Sequence, residues 1–218
     1  KKVIVDIDKT ELEKPTVHPD IPIHTDAKDF IEEMLVQNEK IKTPKYLDWL
    51  SYCQRIKKKY PVVSFEHREQ KNFVNSYYFI DVLSKLLPEY EIIVTSDGTA
   101  LSCTAQAIKI KHGQRLIYNV GCASMGYGLP ASIGASIANG KRRVICLEGD
   151  GSLQLNIQEL QTVVHHKLPI KIFVFNNDGY LAIRITQESY FGGHYVGSDP
   201  KSGLSFPNLE KVARAYGI

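Results

Sequence analysis

The sequence predicts an α/β fold built on a parallel sheet. Short apolar runs bounded by turn residues recur along the 218 residues, stretches of helical period separate them, and the later runs are β-branched with little alternation. The last trait belongs to strands buried on both faces, and strands alternating with helices close a parallel sheet. In chain order the strand candidates are "VIVDI" (3–7), "EIIVTS" (91–96), "RLIYNV" (115–120), "RVICLE" (143–148) and "IKIFVFN" (170–176). The helix candidates are 26–38, with Phe30, Met34 and Leu35 on one face and Asp26 as cap; 44–60, with Leu47, Leu50 and Cys53 in helical spacing; 75–88, ending at Pro88; 99–113; the small-residue stretch 126–139; and 156–167.

Residues 39–70 are polar, proline-marked and weakly periodic. They divide the chain into a first unit of one strand and helix (1–38), a connecting segment with a helix (39–70), and a main domain (71–218). The chain opens on a strand and stops in mid-pattern, so a fragment of something longer is expected.

At 43% hydrophobic and 23% charged, the composition is that of an ordinary globular protein, and the net charge of +3 comes from scattered basic residues. The densest basic block, "RIKKKY", reads as a solvated helix end, so nucleic acid is not an expected partner. No apolar run reaches the roughly 18 residues of a membrane span, and no signal-peptide pattern opens the chain. Cys53, Cys103, Cys122 and Cys146 are far apart and form no CxxC pair. Reduced thiols in a cytoplasmic protein fit better than zinc or disulfides.

Two motifs compete to carry the chemistry. The first is "VIVDIDKT" at the start, an apolar strand followed by DxDxT, the nucleophile motif of haloacid-dehalogenase-like phosphatases. Asp6 would attack phosphorus and Asp8 handle the proton. The later motifs of such a site are missing; "GDGSLQ" offers Gln154 where a second aspartate is needed. The plainer reading makes Asp6 and Asp8 strand-end residues that cap a turn.

The second is "VICLEGDGSLQLN" (144–156). Asp-Gly alone marks a turn, but here a strand ends at the motif, a helix follows, and the next strand ends at Asn176-Asn177. Asn177 lies 27 residues after Asp150, about one β-α-β unit. A right-handed crossover makes the two strands parallel neighbours and brings both motifs to the carboxyl edge of the sheet, where open α/β sheets bind ligands. A carboxylate, a side-chain amide and a loop carbonyl meeting there form a hard oxygen set suited to magnesium shared with phosphates. The glycines admit a phosphate close to the backbone, and the following helix start offers N–H groups.

"GDGSLQLNIQELQT…LPIKIFVFNNDGY" resembles the thiamin diphosphate motif, GDG followed by NN, in the form found in acetohydroxyacid (acetolactate) synthase-like enzymes. "GCASMGYGLPASIGASIA" (121–138) resembles a second block of that family, "GxxGTMGxGLPAAIGA", with Met125 at the spacing before Asp150 that the pattern requires. The resemblance covers nearly the whole chain. It implies a three-layer α/β/α pyrophosphate-binding domain, complete but for its C-terminal part, after a short remnant of a central α/β domain. On this likeness Asp150 and Asn177 hold Mg2+ by their side chains and Gly179 by its carbonyl. Gly149, Gly151 and Ser152 line the diphosphate, Ala123 and Met125 meet the aminopyrimidine with Met125 wedged under the cofactor, and Tyr180 also borders it. "TSDGTAL" (95–101) falls on a further diphosphate loop, making Gly98, Thr99 and Ala100 candidates.

The same resemblance implies decarboxylation of a 2-keto acid, with pyruvate as donor, and transfer of the remaining unit to an acceptor carbonyl or a proton. It implies a homodimer or homotetramer, with FAD possible in the central domain of the full-length protein. The glutamate that activates the cofactor belongs to a pyrimidine-binding domain outside this sequence, so no catalytic residue is assigned and the fragment alone is expected to be inactive. Where the synthases carry "QWQ", this chain has "ITQ". Thr186 in place of Trp suggests a roomier acceptor pocket, with Ile183 as a second lining candidate. A non-catalytic assembly module of the same fold is the alternative.

Overall fold

The computed structural model describes residues 1–38, 40 and 46–218. It divides into two compact units, Lys1–Lys59 and Tyr60–Ile218. The division falls within the 39–70 stretch.

In the first unit, β1 (Val3–Asp6) leads through α1 (Lys9–Leu12) to β2 (Ile21–His24), then α2 (Ala27–Asn38) and α3 (Leu47–Lys59). β1 and β2 pair in parallel, from Val3 opposite Ile21 to Asp6 opposite His24. β2 is an addition to the predicted elements: it is four residues long and contains Pro22, too short and irregular for a pattern search. Asp6 and Asp8 act as caps. Asp6 Oδ1 accepts the Asp8 N–H at 2.8 Å; Asp8 Oδ1 accepts the Thr10 N–H at 2.8 Å and the Thr10 hydroxyl at 2.7 Å, starting α1. Those bonds hold the Asp8 carboxyl below its ordinary range. Asp26 likewise accepts the Lys28 N–H at 2.7 Å at the head of α2.

The second unit contains α4 (Phe65–Arg68), α5 (Ser76–Leu86), β3 (Ile92–Thr95), α6 (Gly98–Ala107), β4 (Arg115–Tyr118), α7 (Gly128–Ala138), β5 (Val144–Gly149), α8 (Asp150–Gln154), a 3-10 turn at Ile157–Glu159, α9 (Leu160–His165), β6 (Ile170–Phe175), α10 (Leu181–Tyr190), a 3-10 turn at Pro200–Ser202, and α11 (Leu209–Tyr216). Its sheet has the order β4-β3-β5-β6, every pair parallel. Side chains alternate across it. Ile93, Ile145 and Leu147 pack on Ile80, Leu83 and Leu87 of the α5 segment and on Ala100, Cys103 and Ala107 of α6. Ile92, Val94 and Val144 face Ala131 and Ala135 of α7. Ile172 and Val174 continue that second face against Leu129, Leu160 and Val163, with Leu209 and Val212 of α11 alongside. Helices therefore cover both faces, and the unit is a three-layer α/β/α fold on a parallel sheet.

Several boundaries differ from the sequence reading by a few residues, and two helices differ by more. The helix predicted over 99–113 stops at Ala107, and the one predicted over 156–167 is a 3-10 turn followed by α9. No helix among the described residues is long and apolar enough to cross a membrane.

Candidate functional site

The carboxyl ends of β3, β5 and β6 open onto one cavity of about 80 Å3. From β3 come Asp97, Gly98 and Thr99; from β5, Gly149, Asp150, Gly151 and Ser152; from β6, Asn177, Gly179 and Tyr180; Met125 enters from the segment before α7. Of the site residues predicted from the sequence, all line this space except Ala100, Ala123 and Thr186. Ala123 sits nearby in chain, in the left-handed region at φ 47°, its N–H bonded to the Asn119 carbonyl at 2.9 Å. Ala100 faces the core instead, on the buried side of α6.

Asp150 is nearly inaccessible, and N–H donors surround its carboxylate. Oδ1 accepts the Gly151 N–H at 2.8 Å; Oδ2 accepts those of Asn177 at 2.8 Å and Gly179 at 3.3 Å. The Asn176 amide, turned with its nitrogen toward the carboxylate, gives Oδ2 a further donor at 3.0 Å. A carboxylate offers about four lone-pair sites. Oδ2 is fully used, whereas Oδ1 retains acceptor capacity. Asn177 donates through Nδ2 to Thr99 Oγ1 at 3.3 Å, and its Oδ1 accepts no hydrogen bond from any described residue. The loop after β6 is gripped from behind: Arg184 donates to the Asn177 carbonyl at 2.8 Å, and the Tyr180 N–H to the Ser198 carbonyl at 2.9 Å. The Tyr180 ring packs edge-on against Phe206, 5.7 Å between centroids.

The Ser152 side chain has a different task from its place in the cavity lining. Its Oγ lies 2.6 Å from Ser96 Oγ and accepts the Gly126 N–H at 2.8 Å, so it ties three loops together. Beside it stands Glu148, wholly buried. Its Oε2 accepts the Leu129 N–H at 3.1 Å and its Oε1 the Gly149 N–H at 3.2 Å, and burial raises its carboxyl above the ordinary range. The sequence reading missed Glu148 and Ser96. An acid within the apolar run "VICLE", immediately before GDG, was the available signal.

Ile183 borders the cavity. Thr186 does not: it is exposed, and its hydroxyl donates back to the Ala182 carbonyl at 3.1 Å, as helical threonines commonly do. The lining of this cavity thus includes Ile183 but not Thr186.

The arrangement offers oxygen donors beside free acceptor positions, a backbone open to a phosphate, and a methionine wall. Residues 97–218 match the family described as "Thiamine pyrophosphate enzyme, C-terminal TPP binding domain". The acetolactate synthase large subunit of Porphyra purpurea is 34% identical over 217 residues, covering 98% of this chain and 35% of its own length. That of Lactococcus lactis is 33% identical over 98% of the chain and 36% of its length. Isozyme 1 of Escherichia coli is 30% identical over 100% and 37%. The chain spans about a third of the length of these relatives. It belongs, by the match over residues 97–218, to the thiamine pyrophosphate enzymes and carries their C-terminal cofactor-binding domain.

Proposed function

We propose that the cavity binds thiamin diphosphate through Mg2+, with Asp150 Oδ1, Asn177 Oδ1 and the Gly179 carbonyl as the protein's metal ligands. The observation that carries this is the acceptor balance at Asp150 and Asn177: each keeps one oxygen able to accept beside the same cavity. An all-oxygen set with few protein ligands suits Mg2+, which keeps waters and shares phosphate oxygens. The N–H groups on Asp150 hold the carboxylate in place before the metal arrives, the role usually played by outer-shell donors.

The diphosphate lies along the backbone of Gly98, Thr99, Gly149, Gly151 and Ser152, and Ala123, Met125 and Tyr180 border the organic part. Bound there, the cofactor supplies carbanion stabilisation, which no side chain of this chain provides. The chain's own residues bind it, orient it and exclude water.

The full-length protein is proposed to be an acetolactate synthase-like, cytoplasmic decarboxylase and carboligase. It takes a 2-keto acid, pyruvate as donor, and works as a homodimer or homotetramer with FAD possible in a central domain. The activating glutamate is expected outside this sequence, so this chain alone is half a site and catalytically inactive.

Titration calorimetry of the chain with thiamin diphosphate tests the binding claim. Mg2+ should be required, EDTA should abolish binding, and Asn177→Ala should weaken it by about 100-fold, the upper range for disturbing a metal shell. Asp150→Asn should do the same while preserving shape. Binding that is equal with and without Mg2+, or untouched in both variants, sinks the assignment.

A further inference from the structure

Asn156 lies outside the cavity, yet it holds the residue next to Met125. Its Nδ2 donates to the Gly126 carbonyl at 2.6 Å, across 30 residues of sequence. Ser152 Oγ takes the Gly126 N–H at 2.8 Å from the other side. Both backbone polar groups of Gly126, one in each of the peptide units that flank it, are thus gripped by a single short segment, 152–156. The fit is close: a Cβ on Gly126 would come within 2.8 Å of Asn156 Nδ2 and 2.9 Å of Leu155 Cβ, and the backbone there has φ 78°. Asn156 also heads a 3-10 turn without capping it: its Nδ2 donates to Gly126, and its Oδ1 accepts the Gln158 side-chain amide at 3.4 Å rather than a backbone N–H of the turn.

We infer that Asn156 is a positioning residue that fixes Met125 in the cofactor cavity, with Ser152 as its second jaw. The inference rests on the cofactor reading above and adds a residue to it. Methionine has three rotatable side-chain bonds and packs adaptably, so a defined wedge needs its backbone held. Met125 has no helix or strand of its own to do this; α7 begins only at Gly128. Through the contact between Ser152 Oγ and Ser96 Oγ, 2.6 Å, the same clamp reaches the loop that leads into Gly98 and Thr99. Movement of Met125 and of the diphosphate loop is therefore linked by one hydroxyl.

The protein contains two methionines, Met34 and Met125, so methyl-labelled methionine gives an NMR spectrum of two signals. In the wild-type chain, the Asn156 side-chain amide protons and the Gly126 N–H should exchange with solvent slowly, and Met125 should give one ordered signal. Asn156→Asp keeps the shape but loses the donor. It should speed Gly126 exchange by about tenfold, the loss expected for one buried hydrogen bond, broaden or average the Met125 methyl, and leave the amide signals of β3 and β5 in place. Gly126→Ala should do the same from the other partner, because its Cβ would press on Asn156 Nδ2 and Leu155 Cβ. Thiamin diphosphate with Mg2+ should shift the wild-type Met125 methyl, and the variant should bind it about tenfold more weakly with an unchanged Mg2+ requirement. Solvent-rate exchange at Asn156 Nδ2 in the wild type overturns the clamp whether or not any variant folds. So does a variant spectrum in which Met125 and Gly126 stay as in the wild type. A wild-type Met125 signal indifferent to the cofactor overturns the cofactor reading while leaving the clamp to be judged by exchange alone.

Discussion

Gly151 shows how little room the site leaves at the level of single atoms. A Cβ there would lie 2.8 Å from Tyr180 Cδ1 and 3.0 Å from Phe206 Cζ. The Tyr180 ring borders the cavity and packs edge-on against Phe206. Gly151→Ala must push Tyr180 outward or distort the first turn of α8, so overpacking should cost about 1–3 kcal/mol. Urea denaturation would read that loss. Calorimetry would show weaker thiamin diphosphate binding, since the displaced ring borders the cavity. A variant with wild-type stability and wild-type affinity would mean that the rings move freely. The same atomic scale explains why Glu148 and Ser96 escaped the sequence reading. Their importance lies in what they touch, Leu129 N–H and Ser152 Oγ, and neither contact has a sequence spacing that marks it.

Elements are held to one another by a few polar ties that reach across the core, and the clearest joins α5 to the segment after α6. Asp81 of α5 is buried; its Oδ2 meets Lys85 at 2.6 Å and its Oδ1 meets Lys109 at 2.6 Å. Hydrogen bonds from Lys109, then Lys85, lower its carboxyl below the usual value of 3.8. A carboxyl with a depressed folded value stabilises the fold above its unfolded value, and that stability drains away as pH falls through the folded one. Acid denaturation of the second unit should therefore lose part of its slope below pH 3.8 in Asp81→Asn. At neutral pH the variant should be less stable by about 2 kcal/mol, the scale of hydrogen bonds to a charged group, because both lysine heads remain solvated. An unchanged acid limb would show the tie to be idle. This contact also explains the helix that ended early. "IKIKHG" continues a helical pattern on paper, but Lys109 Nζ reaches Asp81 and its N–H reaches Ser84 Oγ at 3.2 Å, drawing the chain into extended form from Ile108. Strands β3 to β6 were legible because their β-branched runs need no partner to be recognised. The Asp150–Asn177 pairing was legible because one β-α-β unit has a fixed length. β2, the stop at Ala107 and the Asn156 clamp were not, because long-range contacts decide them.

At the scale of the whole molecule, two compact units share one chain, and every residue lining the cavity belongs to the second, Tyr60–Ile218. A ligand that binds only folded protein stabilises the unit holding its site by RT ln(1 + [L]/Kd), about 2.7 kcal/mol at a hundredfold excess over Kd. For a unit of about 160 residues, that raises the melting temperature by roughly 5–10 °C. Scanning calorimetry with saturating thiamin diphosphate and Mg2+ should show a shift of this size in the transition that carries the β3–β6 sheet. The first unit's contribution, followed by the methyl signal of Met34, should melt where it did before. Mg2+ alone should give a small shift, because the proposed ligands Asp150, Asn177 and Gly179 would supply only part of its shell, and thiamin diphosphate alone a smaller one. If both units shift together, the cofactor reaches beyond the cavity described above. If neither shifts, the hard-oxygen pair at the ends of β5 and β6 does not bind this ligand in the isolated chain, and the cofactor's affinity must come from groups outside Tyr60–Ile218.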